Sequence, residues 1–455
     1  MQRREFLGIA TLAVAAASMA ANERVKTAGA PMRGFADKPL DKVRVGVIGI
    51  GGRGTGAVTR LCKIPGVQIT AVCDLFADRV RKGQDIVKRA GFPEPKGFVG
   101  PEGYKQLADA GVCDVVHINT NWISHTEIAL RTLQGGLHTL MEVPGCRTIE
   151  QGWQLIEASE KYRRHCAVLA NCSYGDQEMM LINVAHQKVL GEIMHAEGCY
   201  LHNTRAPMPY GNQGFLSRDK IFSSLQALEN HTGMCYPVHQ FGPIALALDI
   251  NRGDRLDHLV SMGNEGFGWQ EVARKTYGPD APVAKVKFES NDFNTTLIRT
   301  AKGKSIMLRQ CNNCPMPYCR EYKLYGFNGT FNANPLEITI EKQFPRGADW
   351  MGEEEKKAFS AKYRSPMWAH YAERAHLGGH GGMDYFMDFR WSYCLRKGLP
   401  LDIDVYDLAT WSSIFELSER SVRNGSQPQN VPDFTRGAWK TLPPVGDMSV
   451  PPGYV

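Results

Sequence analysis

The chain has 455 residues, 43% of them hydrophobic and 22% charged, enough apolar material for two domains and a large buried core. Its 53 basic and 47 acidic residues leave a net charge of only +6, spread thinly along the chain. No Lys/Arg cluster with interleaved aromatics occurs, which argues against nucleic-acid binding, and no low-complexity tract marks a disordered chain.

Residues 1–21 read MQRREFLGIATLAVAAASMAA: a basic start, a short apolar stretch, then small residues. That pattern predicts a secretory signal, too short for a membrane span of about 20 apolar residues. Arg3 and Arg4, followed by Glu5, Phe6 and Leu7, resemble the twin-arginine signal that sends folded proteins across a bacterial membrane. An exported, periplasmic product is expected. No Cys lies near the small-residue end and no later stretch is long and apolar enough to span, so no stable membrane anchor is expected. Residues 22–40 read as a flexible lead-in.

Residues 43–56, VRVGVIGIGGRGTG, place an apolar β-branched run before Gly49-Ile50-Gly51-Gly52-Arg53-Gly54, and a helical pattern follows. Strand, G-x-G-x-x-G turn and helix stand in the order a dinucleotide site requires: a tight turn, close approach of backbone to the pyrophosphate, and phosphate at a helix N-terminus. Twenty residues on, the second strand VQITAVCD ends at Asp74, where a carboxylate would accept from ribose hydroxyls and repel a 2′-phosphate. NAD is therefore favoured. A third strand, CDVVHINT, ends at Asn119-Thr120, and a fourth, LHTLMEVP, follows a helix around 126–134. Alternating strands and helices from 41 to 170 predict a doubly wound parallel sheet. Ligands in such sheets lie at the strand C-termini, so Asn121, Trp122, His125, Glu142, Val143 and Asn171 are expected near the nicotinamide.

The twelve cysteines lie partly in apolar strand-like runs, where a thiol acts as a small core residue. Cys311-x-x-Cys314 with Cys319 hints at metal, but no second pair completes a four-ligand zinc site, so no metal is expected.

This first half resembles the Gfo/Idh/MocA group of sugar-acting oxidoreductases, whose Rossmann domain precedes an open, mainly antiparallel sheet. Their usual Glu-Lys-Pro reads Glu142-Val143-Pro144 here, and their Asp-x-x-x-His reads Cys235-Tyr236-Pro237-Val238-His239. The departures disfavour a plain dehydrogenase. Together with Asn171-Cys172-Ser173-Tyr174-Gly175, Gly198-Cys199-Tyr200-Leu201-His202, Met316-Pro317-Tyr318, Gly379-His380-Gly381-Gly382-Met383-Asp384 and Pro400-Leu401-Asp402-Ile403-Asp404-Val405-Tyr406-Asp407, they resemble glycoside hydrolase family 109, described as NAD-dependent α-N-acetylgalactosaminidases. Two segments depart from that family's pattern: Val238 and Gln240 stand for Thr and Gly, and Leu225-Gln226 for a Trp-Arg pair of which, in the family, the Arg contacts substrate.

Export and NAD together carry a physical argument of their own. A periplasm offers no obvious exchangeable NAD, so the enzyme would load the cofactor before export and return it oxidised each turnover. The implied cycle takes hydride from sugar C3, removes the C2 proton acidified by the new ketone, expels the C1 substituent, adds water and restores hydride. It needs no carboxylate pair. His239 and Tyr236 are the candidate proton carriers, three apart in a first helical turn opened by Pro237, with Tyr174 the next candidate base. Tyr200, Tyr236, Val238, His239 and Tyr318 are the substrate-binding candidates, with His202 nearby, and His380 a loop residue that would shape the pocket.

The expected fold is α/β: the Rossmann domain over 41–170, then an α/β substrate domain over 171–455 with VAKVKFES, FNTTLIRT and KSIMLRQC as antiparallel strands. A helix over LATWSSIFELSERSV precedes a Pro-rich tail that wraps back. The expected partner is a small carbohydrate or glycan, and homo-oligomerisation is left open.

Overall fold

The computed structural model describes residues 30–203, 205, 230–342 and 349–454. Residues 1–21, where a signal is expected, and Leu225 and Gln226 lie outside the described residues.

Residues 43–168 alternate strand and helix: β1 Val43–Ile48, α1 Gly52–Leu61, β2 Val67–Asp74, α2 Ala77–Arg89, β3 Lys96–Val99, α3 Gly103–Asp109, β4 Val115–Ile118, α4 His125–Gln134, β5 His138–Met141, α5 Ile149–Tyr162 and β6 Cys166–Val168. The six strands are parallel in the order β3-β2-β1-β4-β5-β6. Helices cover both faces, so the central strands are buried almost throughout rather than alternating, Arg44 being the one exposed position in β1. Strand order reverses between β1 and β4, which opens a crevice at their C-terminal ends.

The second unit contains α6 Asp176–His186, β7 Ile193–Leu201, α7 Pro237–Ala247, β8 Leu256–Gly263, α8 Phe267–Tyr277, β9 Phe293–Thr300, β10 Ser305–Cys311, β11 Lys323–Gly326, β12 Gly329–Ala333 and β13 Leu336–Ile340. Then come α9 Glu353–Tyr363, α10 Pro366–Tyr371, α11 Met383–Lys397, α12 Val405–Arg423 and β14 Gln429–Asn430. Eight strands form one sheet, β13-β12-β11-β7-β10-β9-β8-β14, antiparallel except for the β7–β10 pair. The α/β class with a parallel and a mainly antiparallel sheet is thus the observed fold.

FNTTLIRT and KSIMLRQC are β9 and β10, but VAKVKFES is not a strand. Pro282–Lys285 forms a short 3₁₀ turn, and Val283 and Phe288 bury themselves against Trp269 of α8 in a small separate core. Both neighbours of β8 are already taken, by β9 and β14, so no edge is left there for this segment.

The chain's end returns to the Rossmann domain. Helix α12 packs on α5, β8 and α7, capped by Asp404, whose carboxylate accepts from the Tyr406 and Asp407 N–H groups. Helix α11 approaches α1 through two carboxylates one turn apart, Asp384 against Arg53 and Asp388 against Arg60. Arg390 Nη1 and Nη2 donate to the Ser449 and Asp447 carbonyls, so the tail from 442 lies along α11.

Asp388 is fully buried, and its carboxylate accepts from Arg60 Nε at 2.6 Å and Trp391 Nε1 at 2.8 Å. Burial alone would raise its pKa, but Arg60 and His117 outweigh that and hold it at about 2. Asp388→Ala would leave the buried Arg60 guanidinium with only the longer contact to Asp384 at 3.7 Å, so a loss of about 3 kcal/mol is expected in denaturant unfolding. A loss under about 1 kcal/mol would show that Arg60 finds water instead.

Candidate active site

The crevice at the C-terminal ends of β1, β2 and β4 is a cleft of about 530 Å³, lined by Gly49, Gly51, Gly52, Arg53, Asp74, Asn119, Thr120 and Asn121 among others. Gly49 has φ +88°, and a Cβ on Gly54 would stand 1.7 Å from the Gly49 carbonyl oxygen, so turn and helix can meet only as glycines. A Cβ on Gly51 would meet only the end of Arg79, at 3.7 Å, which leaves this backbone open to a ligand. Asp74 closes β2. One of its oxygens accepts from Ile50 N–H at 2.7 Å and the other from Phe76 N–H at 3.1 Å, so the carboxylate also braces the glycine turn. Asn119 Oδ1 and Asn171 Oδ1 are buried acceptors without partners. Glycine cradle, acidic strand end and orphaned amide oxygens fit a dinucleotide.

Arg53, the fifth residue of the glycine turn, reaches inward. Its Nε donates to Glu142 at 2.6 Å, and Nη1 and Nη2 donate to Asp384 at 2.6 and 3.0 Å. Asp384 also accepts from Asn171 Nδ2 at 2.7 Å and lies 2.9 Å from His380 Nδ1. Although burial would raise the Asp384 carboxyl, His380, Arg53 and Arg60 hold it well below the usual carboxylate range.

Beside this hub lies a group of rings from four chain segments. Tyr236, the residue before α7, and His239 in its first turn have ring centroids 4.8 Å apart. Tyr200, at the end of β7, is 5.2 Å from Tyr236 and 5.4 Å from His239. Tyr318 stands edge-on to Tyr200 at 5.8 Å and to His202 at 4.8 Å. Trp122, from the loop after β4, stacks on Tyr236 at 5.6 Å and so joins the ring group to the cleft. Val238 is buried behind them on α7.

Burial, with Arg320, Arg53 and His380 adding repulsion, drives the His239 pKa well below its ordinary value, so the imidazole is neutral near pH 7. Its Nδ1 is buried and has no hydrogen-bond partner. Tyr236 is driven well upward by burial, then by Tyr200 and Glu142, while Arg53 pulls it back. Tyr200 and Tyr318 are raised mainly by burial. The carboxylates whose charge reaches Tyr236 and His239 are Glu142 and Asp384, and Arg53 binds both.

Tyr236, His239, Tyr200 and Tyr318 are therefore brought together, whereas Tyr174 is not. Its hydroxyl donates to Asp402 at 3.2 Å, and its ring packs in the core behind β5 and β6. His125 is buried, with its ring nitrogens 3.1 Å from the Thr120 carbonyl and 3.3 Å from that of Gly145. It braces the loop that carries Asn121 and Trp122. Val143 is buried before a cis peptide to Pro144, an apolar residue where the oxidoreductase pattern carries Lys.

Sequence reading missed Arg320. Its guanidinium lies 5.4 Å from the Tyr318 ring centroid, pairs with Glu178 at 2.9 Å and acts electrostatically on His239. Only its place two residues after Tyr318 could have flagged it.

With the geometry in view, two family models match the chain. Residues 43–170 match "Oxidoreductase family, NAD-binding Rossmann fold", and 174–441 match "Glycosyl hydrolase 109, C-terminal domain". An α-N-acetylgalactosaminidase from Bacteroides fragilis is 41% identical over 409 residues, covering 90% of this chain and 95% of its own. A glycosyl hydrolase family 109 protein of Porphyromonas gingivalis is 41% identical over 414 residues, with 88% and 86% covered. Among solved structures, levoglucosan dehydrogenase with NADH and L-sorbose superposes with a TM-score of 0.62 at 17% identity, covering 87% of this chain and 100% of that one. Aldose-aldose oxidoreductase from Caulobacter crescentus gives 0.60 at 14%, covering 86% and 100%. At those identities the likeness is one of fold.

Because Asp74 both braces the turn and faces the cleft, Asp74→Ala should weaken dinucleotide binding about tenfold, the scale of one lost charged hydrogen bond. Asp74→Asn, which keeps an acceptor oxygen, should lose less. Dinucleotide released on denaturing each purified variant measures this, and full retention by the Ala variant would show that the turn alone holds the ligand.

Proposed function

The chain belongs to glycoside hydrolase family 109 and uses NAD, and we propose that it cleaves α-N-acetylgalactosaminides by a redox-elimination cycle. The relative named for that activity supplies the sugar class. The mechanism rests on one observation: a neutral His and a set of phenols stand beside the dinucleotide cleft, while Arg53 ties up the carboxylates there.

Glycoside cleavage by two carboxylates needs one free to protonate and one free to attack. Glu142 and Asp384 are neither. Bound NAD supplies the hydride acceptor and donor for sugar C3. His239 takes the C3 hydroxyl proton, a role supported by its unpartnered buried nitrogen. A ketone at C3 acidifies the C2 proton. Tyr236 is the second proton carrier; burial holds its phenol well above the ordinary value, and Arg53 offsets only part of that rise. Loss of the C1 substituent, addition of water and reversal of the first step complete the cycle. Tyr200 and Tyr318 line the sugar site, their flat faces suited to a pyranose ring.

Product formed in D₂O should carry deuterium at C2, provided the base exchanges its proton with solvent. His239→Ala should lower kcat by about 10²-fold or more, as for a positioned base. The acid limb of kcat/KM should lie below about pH 6.5, because activity requires neutral His239 and is lost only as pH falls through its lowered pKa. Full protonation at C2 would end the elimination reading.

We further propose export to the periplasm by the twin-arginine route, supported by Arg3-Arg4-Glu5-Phe6-Leu7 and by the advantage of loading NAD before export. Replacing Arg3 and Arg4 by Lys should trap the precursor in the cytoplasm. An unchanged periplasmic yield would point to the general secretory route.

A further inference from the structure

Residues alternate between the two faces of a strand, and β7 uses both. Tyr200 points to the ring cluster, with Gln310 of β10 opposite it. Cys199 and Leu201 point the other way, Cys311 lies opposite Leu201 on β10, and Cys319 pairs with Leu201 from the other side. Cys199, Cys311, Cys314 and Cys319 pack together around Leu201. Cys311 and Cys314 bring their sulfurs to 2.6 Å, and Cys199 and Cys319 to 3.7 Å. The positions in sequence matter as much. The loop that leaves β10 at Cys311 returns to β7 at Cys319, and Tyr318 is its last residue before the return.

We propose that Cys311–Cys314 and Cys199–Cys319 are two disulfide-forming sites that clamp both ends of the loop presenting Tyr318. Each bridge forms by exchange with a small disulfide oxidant of the glutathione type. A protein thiolate attacks the oxidant's S–S bond, forming a mixed disulfide and releasing one small thiol. The neighbouring protein thiol then displaces the second. One protein S–S bond forms, two thiol protons are lost, and the oxidant's disulfide is reduced to two thiols. Cys314 and Cys319 are partly exposed and make the first attack, while buried Cys311 and Cys199 resolve. The Cys199 hydrogen bond outweighs burial and holds Cys319 at about 6, so it is a thiolate at neutral pH. A metal is the rival use of these sulfurs, since Glu321 lies with Cys199 and Cys319 in one group. Glu321 is already bound by Arg309 and Lys323, each at 2.5 Å, which favours the bridge.

The test uses the full-length protein incubated with oxidised glutathione, alkylated with iodoacetamide and digested without reduction. Peptides linked through 311–314 and 199–319, each lighter by two hydrogens, are expected. Alkylation of all four thiols, a different pairing, one bridge without the other, or stoichiometric zinc retained before oxidation would overturn the proposal. A second arm rests on the proposed substrate role of Tyr318. Reduction should raise KM for an aryl α-N-acetylgalactosaminide by roughly threefold or more with kcat little changed, the mark of lost binding alone. Unchanged KM with both bridges mapped would sink the effect on the site, whereas absence of any cleavage would count against the reaction and leave the mapping intact.

Discussion

The arrangement depends on where one guanidinium goes. Arg53 belongs to the phosphate-binding turn of the Rossmann domain, yet it spends its donors on Glu142 at the end of β5 and Asp384 at the start of α11. A half-buried arginine and two buried carboxylates hold together as a set, because either carboxylate alone would bear a desolvation cost of several kcal/mol. Asp384 in turn fixes Asn171 and His380. Four chain segments distant in sequence therefore converge on Arg53 at the edge of the cleft. Arg60 and Asp388 repeat the contact one helical turn deeper, which fixes how α11 lies on α1.

The second organising constraint is the two-residue period of β7. Tyr200 on one face requires Cys199 and Leu201 on the other, and β10 follows in register. An aromatic site and a sulfur-rich core thus become two sides of one sheet. A slip of one residue would exchange them, turning thiols toward the sugar and phenols into the core. Gly198 holds the register: a Cβ there would come within 2.2 Å of the Gln240 carbonyl on α7. The helix bearing Tyr236 and His239 can therefore lie close against the strand bearing Tyr200.

What could be read from the sequence was what local pattern determines. The glycine turn, Asp74 and the alternation of strand and helix are short-range features with a fixed physical meaning, and they placed the cleft. The Tyr236–Pro237–His239 spacing placed the two rings together for the same reason, although Tyr236 is the residue before the helix rather than part of its face. Long-range pairing was not legible. Nothing near VAKVKFES says that both neighbours of β8 are occupied, nothing near Tyr174 says that Asp402 waits for its hydroxyl, and Arg320 is flagged by no motif. The word Pro400–Asp407, among the best family matches, proved to be scaffold: Asp402 binds Arg390, Asp404 caps α12 and Asp407 binds Arg252.

The same electrostatics bear on why such a site would favour elimination over displacement. A displacement through an oxocarbenium-like state needs negative charge at the anomeric carbon. Here Arg53 binds both carboxylates beside the rings, and at His239 the positive influence of Arg320, Arg53 and His380 exceeds the opposing one of Asp384. A field of that sign opposes a cation and stabilises an anion, and in a buried site such preorganised charge counts for far more than in water. Removing a proton beside a carbonyl creates an anion. A neutral imidazole that resists protonation, next to phenols that resist ionisation, can pass that proton without becoming the resting charge itself. In the proposed reaction the arginines thus act twice, silencing the carboxylates of the alternative route and stabilising the intermediate of this one.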